Sequence, residues 1–494
     1  MHLQLDLFKN LIGEIIVSYW LERNKKSVFV LITPLERVVV LSFFLFFLVI
    51  PFPFVVYEES SSRFLLYFAF VFYVVTLALP FTLPGFRPSF LHPICFYVIW
   101  FGMQSLLRGE FSLPISGLSY HRALGVKSEA EFDFLLAYSF LLDTIALLSL
   151  YAGYVLFPKI KMKFALPCKP RNLAITTCFW VVFSGFGLFA LILIGGGVDQ
   201  ILMQRGLASD QRIASQIGGH WGFLAGIGVL APTIWLACEP QAIRKKFFWM
   251  LLVIALILKF VSTGSRGGTI FPLLIIGTVY VIQTRSIPYN FVIIGVFAAL
   301  LIVGGGGQFR KATMQSESLS AINIDTGVSG WISSALEEMH GQGAENNGQI
   351  AVLGAVPDEV EYLWGESYLS IPFIFLPSAI FGEKPDAGGR LLSTKIYNNP
   401  LNTIPPQTVG EAYWNFSVVG VVLIFIMHGS LLKLISRIFF SNSSHPLIVV
   451  LYVYFLFRFQ LNSDSLYSLA HATLPIVLMY FTYSWPRFNF KFSS

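Results

Sequence analysis

The sequence predicts an all-α protein that crosses a membrane many times and carries one large polar loop. Hydrophobic residues make up 55% of the 494 residues and charged residues only 12%, whereas soluble domains average about 25% charged residues. Apolar stretches near the ~20 residues that span a bilayer recur along the chain. The stretch between Gly304 and Gly420 is the main polar interruption. These observations favour a polytopic helical membrane protein over any soluble class.

About twelve apolar segments are long enough to be membrane crossings. They lie at 37–57, 63–84, 89–107, 134–157, 174–196, 220–238, 247–263, 268–284, 290–306, 415–436, 446–462 and 466–485. The predicted organisation is an interfacial N-terminal segment at 1–36, helices 1 to 9 within 37–306, a large loop at 307–414, helices 10 to 12 within 415–485 and a tail at 486–494.

Basic residues orient these segments. Lys- and Arg-rich loops stay on the cytoplasmic side of a membrane, and every predicted inner loop carries a basic residue, with clusters at 159–171 and 244–246. The net charge of +6 is therefore interpreted as anchoring charge, and no nucleic acid is expected as a partner. Both termini are predicted to be cytoplasmic, with the large loop on the outer face.

The large loop is predicted to fold rather than to be disordered. It contains aromatic residues such as Trp331, Trp364 and Tyr413, and disordered segments are poor in such residues. The apolar stretch 368–381 is too short to cross a bilayer and contains prolines, so a re-entrant or interfacial segment is expected there. Long loops of this kind usually carry function.

Basic residues on the outer face are informative because the topology rule does not require them there. The candidates are Arg266, Arg310, Arg390 and Arg458. Arginine binds phosphate oxygens bidentately, and backbone N–H groups at the start of the eighth predicted helix can approach the same anion. This pattern points to a phosphate-bearing ligand in the outer leaflet. The alternative is that these arginines reach lipid headgroups or pair with carboxylates.

Two carboxylates and one histidine are candidates for proton transfer. Glu411 precedes the predicted crossing 415–436, where a carboxylate can act as a general base. It can equally stabilise the N-terminus of a helix. Glu366 is a second candidate, and His340 is a third because histidine titrates near neutral pH.

No metal or organic cofactor is expected. The glycine runs lack the context of a dinucleotide-binding loop, and neither a Walker-type motif nor His-Glu-x-x-His zinc spacing occurs. The four cysteines are predicted to be buried small hydrophobic residues. Asp143 and Lys259 lie inside apolar segments, where an ion path and simple pairing are both possible; pairing is preferred.

Several short motifs between about 260 and 485 resemble one family. They are Gly264-Ser265-Arg266-Gly267 after a helix, then Tyr368, Pro372, Pro377 and Glu383-Lys384-Pro385 in the loop, then Gly410-Glu411-Ala412-Tyr413 with Asn415, Phe416 and Gly420. This set resembles the Wzy-type polymerases of O-antigen and capsule repeat units. The broader superfamily resembles the metal-independent, GT-C-like membrane glycosyltransferases.

The resemblance implies a glycosyltransferase at the periplasmic face of the bacterial inner membrane. It would transfer a glycan from undecaprenyl pyrophosphate onto another lipid-linked repeat unit. Arg266, Arg310 and Arg458 would bind the donor pyrophosphate, and Glu411, or else Glu366 or His340, would take the proton from the acceptor hydroxyl.

Residues 371–375 lack a basic residue that the resemblance leads us to expect after the proline. Lys384 or Arg390 would replace it in binding the pyrophosphate. Expected partners are the lipid-linked donor and acceptor, membrane lipids and a chain-length regulator.

Two other functions remain open from the sequence. An O-antigen ligase would use the same donor and transfer the glycan to lipid A core. A lipid-linked oligosaccharide flippase or other transporter would need charges along a central path, whereas the charges here collect at one face.

Overall fold

A computed structural model describes the chain in ten stretches and at a few single positions between 295 and 333. The stretches are 32–49, 61–82, 89–106, 129–158, 172–197, 219–263, 266–286, 348–373, 385–399 and 403–484. Across these residues the regular structure is helical and contains no strand. The predicted all-helical class is therefore confirmed for the described part of the chain.

The α-helices are numbered in chain order. They are α1 (Pro34–Val49), α2 (Ser61–Thr82), α3 (Pro93–Leu106), α4 (Glu129–Leu156), α5 (Leu173–Ile194), α6 (Gly219–Ile227), α7 (Leu230–Cys238), α8 (Lys246–Thr263), α9 (Arg266–Thr284), α10 (Gly348–Ala355), α11 (Glu366–Leu369), α12 (Gly388–Lys395), α13 (Gln407–Ser441), α14 (Pro446–Arg458) and α15 (Ser463–Ser484). Short 3-10 turns occur at Pro240–Arg244 and Ile371–Phe373.

Six helical spans in the described residues are long and apolar enough to cross a membrane. They are Arg63–Thr82, Ala130–Leu156, Leu173–Ile194, Trp221–Cys238, Gln407–Ser441 and Ser463–Tyr483. Shorter apolar helices are Pro93–Gly102, Ile270–Thr284 and Pro446–Arg458. These lengths and compositions indicate a membrane-embedded protein. Twelve crossings remain a prediction, and the predicted ninth segment at 290–306 lies almost wholly outside the described residues.

One predicted crossing, 220–238, is divided between two helices. α6 ends at Ile227 and α7 begins at Leu230. Gly228 lies between them, and a Cβ built there would stand 2.6 Å from the Ser184 Oγ of α5. The chain can approach α5 this closely only because Gly228 has no side chain.

Two apolar cores organise the bundle. The first lies mainly among α2, α3, α4, α10 and α13. The second lies mainly among α7, α8, α9, α14 and α15. α13 contributes Phe439 to the second core as well. α13 therefore joins the two cores.

α4 and α13 pack closely through small residues. A Cβ on Gly153 would collide with the carbonyl of Ile426, and a Cβ on Gly429 would collide with the carbonyl of Leu150. Membrane helices associate through such small residues, because lipid supplies little hydrophobic drive and close van der Waals contact must replace it. The two glycines therefore set the separation of these helices.

The same two helices run in the same direction. Tyr138, early in α4, lies against Tyr413, early in α13, with ring centroids 6.1 Å apart, and Gly153 near the end of α4 meets Ile426 farther along α13. The predicted topology requires parallel helices here, because both segments are predicted to run from the outer to the inner face.

α13 is broken near its start. Phe416 (φ −143°, ψ 25°) and Ser417 (φ 57°, ψ −154°) have non-helical backbone angles, and a non-glycine residue with positive φ costs about 1–3 kcal/mol. A Cβ on Gly420 would collide with the carbonyl of Ala412, so the chain folds tightly at the break. Residues 407–415 thus form a short arm that leads into the predicted crossing at 415–436.

Candidate functional site

Glu411 lies one turn into the short arm of α13 and is completely buried. Its Oε1 accepts a hydrogen bond of 2.6 Å from the Ser367 hydroxyl. The backbone N–H of Ser463 lies 3.1 Å from Oε2 and 3.3 Å from Oε1. A buried carboxylate needs such donors, because an isolated charge removed from water is strongly destabilising.

Asn415 extends this network on the Ser367 side. Its Nδ2 donates to the Ser367 Oγ at 2.9 Å and to the Glu411 carbonyl at 2.8 Å, while its Oδ1 accepts from the Gly365 N–H at 2.9 Å. One amide side chain therefore holds the segment before α11 against the short arm. The Ser367 hydroxyl accepts from Asn415 and donates to Glu411, so its proton is directed at the carboxylate.

A second contact joins α12 to the start of α15. The Gly388 N–H donates to the Ser463 Oγ at 2.8 Å, and the Gly389 N–H donates to the Asp464 Oδ2 at 2.9 Å. A Cβ on Gly388 would stand 2.9 Å from the carboxyl carbon of Glu411. Glycine at this position therefore lets α12 cover the carboxylate directly.

The connection between α14 and α15 also bonds to the short arm. Asn462 Nδ2 donates to the Thr408 Oγ1 at 2.9 Å and to the Gln460 Oε1 at 3.1 Å, and its Oδ1 accepts from the Ser465 N–H at 2.7 Å. This connection, the short arm, α11 and α12 meet at one end of the bundle, called here the Glu411 end.

Tyr368 brings a phenol to the same place. Its hydroxyl is buried and has no hydrogen-bond partner within the described stretches. Burial, and then the Glu411 charge, raise the pKa of Tyr368 well above its usual value. The phenol therefore stays protonated, and it is a hydrogen-bond donor still available at the Glu411 end.

Arg458 closes α14 five residues before Ser463. Its guanidinium carbon lies 4.2 Å from the ring centroid of Phe271 on α9, a cation–π contact. No carboxylate forms an ion pair with Arg458 among the residues described. A cation without a carboxylate partner at a helix end in apolar surroundings is a candidate anion-binding group.

Lys259 lies near Arg458. The charges of the two side chains interact electrostatically, and the Lys259 Nζ lies 2.7 Å from the place where a Cβ on Gly226 would stand. Gly226 therefore makes room for the ammonium group between α6 and α8. Two cations that approach each other in this way favour a shared anion between them.

The other predicted site residues are distributed as follows. Glu366 forms a 2.7 Å ion pair with Lys395, and both are partly exposed. Arg390 is exposed and lies 3.3 Å from Asp386. Arg266 is the first residue of α9, the helix that carries Phe271. Arg310, His340 and Lys384 lie outside the described residues, so their predicted roles remain predictions.

The buried Asp143 has a partner, in line with the preferred interpretation. Gln349 Nε2 donates to its Oδ1 at 3.0 Å and to the Ser139 Oγ at 2.9 Å. All three side chains are completely buried. Asp143 thus anchors α10 to α4, which is a pairing role.

Sequence analysis missed Ser367, Ser463, Asp464 and the glycine pair 388–389. The only local signal was the polar run 462–465 between the last two predicted crossings. In that run Ser463 donates to Glu411 and Asp464 accepts from Gly389. A run of polar residues in a very short connection between two apolar helices therefore indicates contacts with another segment of the chain.

In the stretches that the structure covers, no three His, Cys, Asp or Glu side chains are grouped to hold a metal ion. Comparison with protein-family models, curated proteins and solved structures finds no match for this chain.

Proposed function

We propose that the chain is a membrane glycosyltransferase that polymerises undecaprenyl-pyrophosphate-linked repeat units into O-antigen or capsular polysaccharide. The observation that carries the proposal is the Glu411 end itself. Arg458, which has no carboxylate partner among the described residues, ends α14 five residues before Ser463, and the Ser463 N–H donates to the buried Glu411 carboxylate. An anion-binding group beside a proton acceptor is what transfer from a pyrophosphate carrier requires.

In this proposal Arg458 and Lys259 bind the donor pyrophosphate. The acceptor oxygen bonds to the anomeric carbon of the donor sugar as the bond from that carbon to the pyrophosphate breaks. Negative charge then grows on the leaving undecaprenyl pyrophosphate, and fixed cations stabilise it most at that moment. Arg266 begins α9, whose N-terminal N–H groups favour the same anion. Arg310, Arg390 and Lys384 stay as further candidates from the sequence.

Glu411 is the base that activates the acceptor hydroxyl, and it acts through Ser367. Because Glu411 and Ser367 are both buried, we propose that α11 or α12 shifts when the acceptor binds. The Ser367 hydroxyl then receives the acceptor proton and passes its own to Glu411, along the 2.6 Å hydrogen bond. Glu366 is the alternative base, although its ion pair with Lys395 must first open.

The ligase alternative uses the same chemistry and differs only in the acceptor. The transport alternative draws less support, because the buried Asp143 is paired with Gln349 and the cations described above lie at one end. The proposed location is the bacterial inner membrane, with the Glu411 end facing the periplasm.

A clean deletion of the gene tests the proposal. Surface glycan should collapse to single repeat units on the lipid A core or carrier, as seen on a lipopolysaccharide or capsule gel. Long polymer that accumulates on the carrier without reaching lipid A would indicate the ligase. Absence of single units from the outer face would indicate the flippase.

A further inference from the structure

A short segment at the Glu411 end displays a tryptophan. Residues 361–366, called here the strap, precede and open α11, and the Trp364 side chain is 75% exposed. The strap is fixed on both sides of Trp364: the Leu363 N–H donates to the Trp414 carbonyl at 3.0 Å, and the Gly365 N–H donates to Asn415 Oδ1 at 2.9 Å. The exposed indole therefore sits on a rigid support.

The strap has an unusual backbone conformation at Trp364 and Gly365. Trp364 has φ 48° and Gly365 has φ 96°, so two consecutive residues lie in the left-handed region. A bulky residue rarely adopts this conformation, and it persists only where the surroundings impose it. A Cβ on Gly365 would also meet the Phe416 ring at 3.3 Å. The chain thus holds Trp364 outward at the expense of local strain.

Aromatic rings connect Trp364 to the bundle. Tyr362 lies 5.8 Å from Trp364 at an interplanar angle of 61° and 6.2 Å from Tyr413. Tyr413 in turn lies 6.1 Å from Tyr138 on α4. Edge-to-face contacts of this kind fix ring orientation. These tyrosine rings support the indole from the side of the bundle, while most of the surface of the indole stays accessible.

Polar groups follow the indole directly along the chain. Glu366, two residues after Trp364, forms an ion pair with Lys395 of α12, and the side-chain exposures are 45% for Glu366 and 39% for Lys395. A carboxylate accepts hydrogen bonds from hydroxyl groups and an ammonium group donates to them. A rigid exposed aromatic face followed by such a pair suits a ligand that has an apolar face and hydroxyl groups on its rim.

We propose that Trp364 is a stacking platform for a sugar ring of the glycan substrate. The C–H groups on one face of a pyranose carry partial positive charge, and they are attracted to the negative face of an aromatic ring. Glu366 and Lys395 bind the hydroxyl groups at the ring edge. Trp364 is a substrate-binding residue, and the strap that carries it is joined to the Glu411 network, because Gly365 donates to Asn415 and Asn415 donates to Ser367 and to the Glu411 carbonyl.

The choice of a glycan as ligand rests on the proposed function, whereas the platform itself rests on the geometry. An exposed tryptophan near a membrane can also anchor in the lipid headgroup region. The two roles differ in what the indole binds. Stacking requires the affinity for a soluble oligosaccharide to fall when the ring is removed, whereas anchoring in the headgroup region leaves that affinity unchanged.

The test compares Trp364→Phe and Trp364→Leu in the full-length protein, purified in lipid nanodiscs. The probe is the soluble oligosaccharide released by mild acid from the surface glycan of the producing strain, and calorimetric titration measures its Kd. Trp364→Phe should stay within about threefold of wild type and Trp364→Leu should weaken binding about tenfold, the size of one aromatic contact. Trp249→Leu is the control, because Trp249 is also partly exposed, at 41%, and lies early in α8, far along that helix from Lys259.

Equal Kd values for the wild type and Trp364→Leu, or no binding by the wild type, would overturn the platform. Equal weakening of oligosaccharide binding by Trp364→Phe and Trp364→Leu, at an unchanged Tm, would also overturn it. The deletion phenotype separates this inference from the proposed function. Normal polymer in the deletion strain with weakened binding by Trp364→Leu would remove the polymerase and keep the platform. Lost polymer in the deletion strain with unchanged binding by Trp364→Leu would keep the polymerase and remove the platform.

Discussion

At the scale of single residues, Glu411 combines a proposed catalytic role with contacts that hold the fold together. Ser367 and Ser463 donate to its carboxylate, and Gly388 leaves room for it. Removing the side chain would therefore disturb both roles, so a test of catalysis must preserve the contacts and change only the basicity.

Glu411→Gln meets that requirement. The amide oxygen of glutamine can still accept the bond from Ser367, but a neutral amide cannot take a proton. We expect polymer formation to fall by about 10²–10⁴-fold, the usual contribution of a general base, while donor binding remains. In vitro chain growth with lipid-linked repeat units measures the rate.

Glu239→Gln is the matched control for this change. Glu239 is also paired, with Lys245 at 2.6 Å, and lies between α7 and α8, at the opposite end of α8 from Lys259. Its chain growth should equal that of the wild type. Normal growth by Glu411→Gln would move the proposed base to Glu366 or His340.

Arg458→Ala tests the anion site. Loss of the guanidinium removes a charge-assisted contact of about 1.5–3 kcal/mol, which corresponds to roughly 10–150-fold weaker transition-state binding. We expect kcat/KM for the donor to fall by that factor at normal protein level.

Arg244→Ala, at an exposed arginine beyond α7, is the control for Arg458→Ala. It should leave kcat/KM for the donor unchanged. Wild-type kcat/KM in Arg458→Ala would remove Arg458 from the pyrophosphate site. A fall in kcat/KM for the donor in both Arg458→Ala and Arg244→Ala would instead indicate a general effect of charge on the membrane protein.

At the scale of helices, the α4–α13 contact determines where the short arm of α13 lies. Gly153 and Gly429 allow the two backbones to touch, and the break at Phe416 and Ser417 then directs the arm toward α11 and α12. The position of Glu411 thus depends on packing far along the same helix.

Gly429→Ala tests this dependence. In an isolated helix the change would be favourable by about 1 kcal/mol, but here the methyl group would collide with the Leu150 carbonyl. Overpacking usually costs about 1–3 kcal/mol, so the Tm in detergent should fall. Gly277→Ala, whose Cβ would meet nothing within 4 Å, should keep or raise the Tm. Equal Tm values for the two variants would contradict the close contact.

At the scale of the whole molecule, the topology can be tested by chemical labelling. In a background where Cys95, Cys168, Cys178 and Cys238 are replaced by serine, we introduce Glu359→Cys or Gln241→Cys, both at exposed positions. A membrane-impermeant maleimide should label Glu359→Cys in cells with a permeable outer membrane.

Gln241→Cys should react only after the inner membrane is opened, because it lies in a predicted cytoplasmic loop. The reverse pattern would invert the topology and place the Glu411 end in the cytoplasm, where undecaprenyl-pyrophosphate-linked polymerisation does not fit the proposal.

The sequence alone determined the helical membrane class and the approximate positions of most described helices, because apolar length and composition are local properties of the chain. The predicted crossings 247–263 and 268–284, for example, begin within two residues of α8 and α9. Glu411 and Arg458 could be selected for the same reason, as charges beside apolar segments.

Only the tertiary structure decided which groups meet. Ser367 reaches Glu411 across 44 residues of sequence, and Gly388 reaches Ser463 across 75, while Glu366 is held by Lys395. The break in α13 and the exposed Trp364 were likewise unforeseen. Such features arise from packing between segments distant in sequence, and no local pattern of residues specifies which of many polar side chains will be brought together.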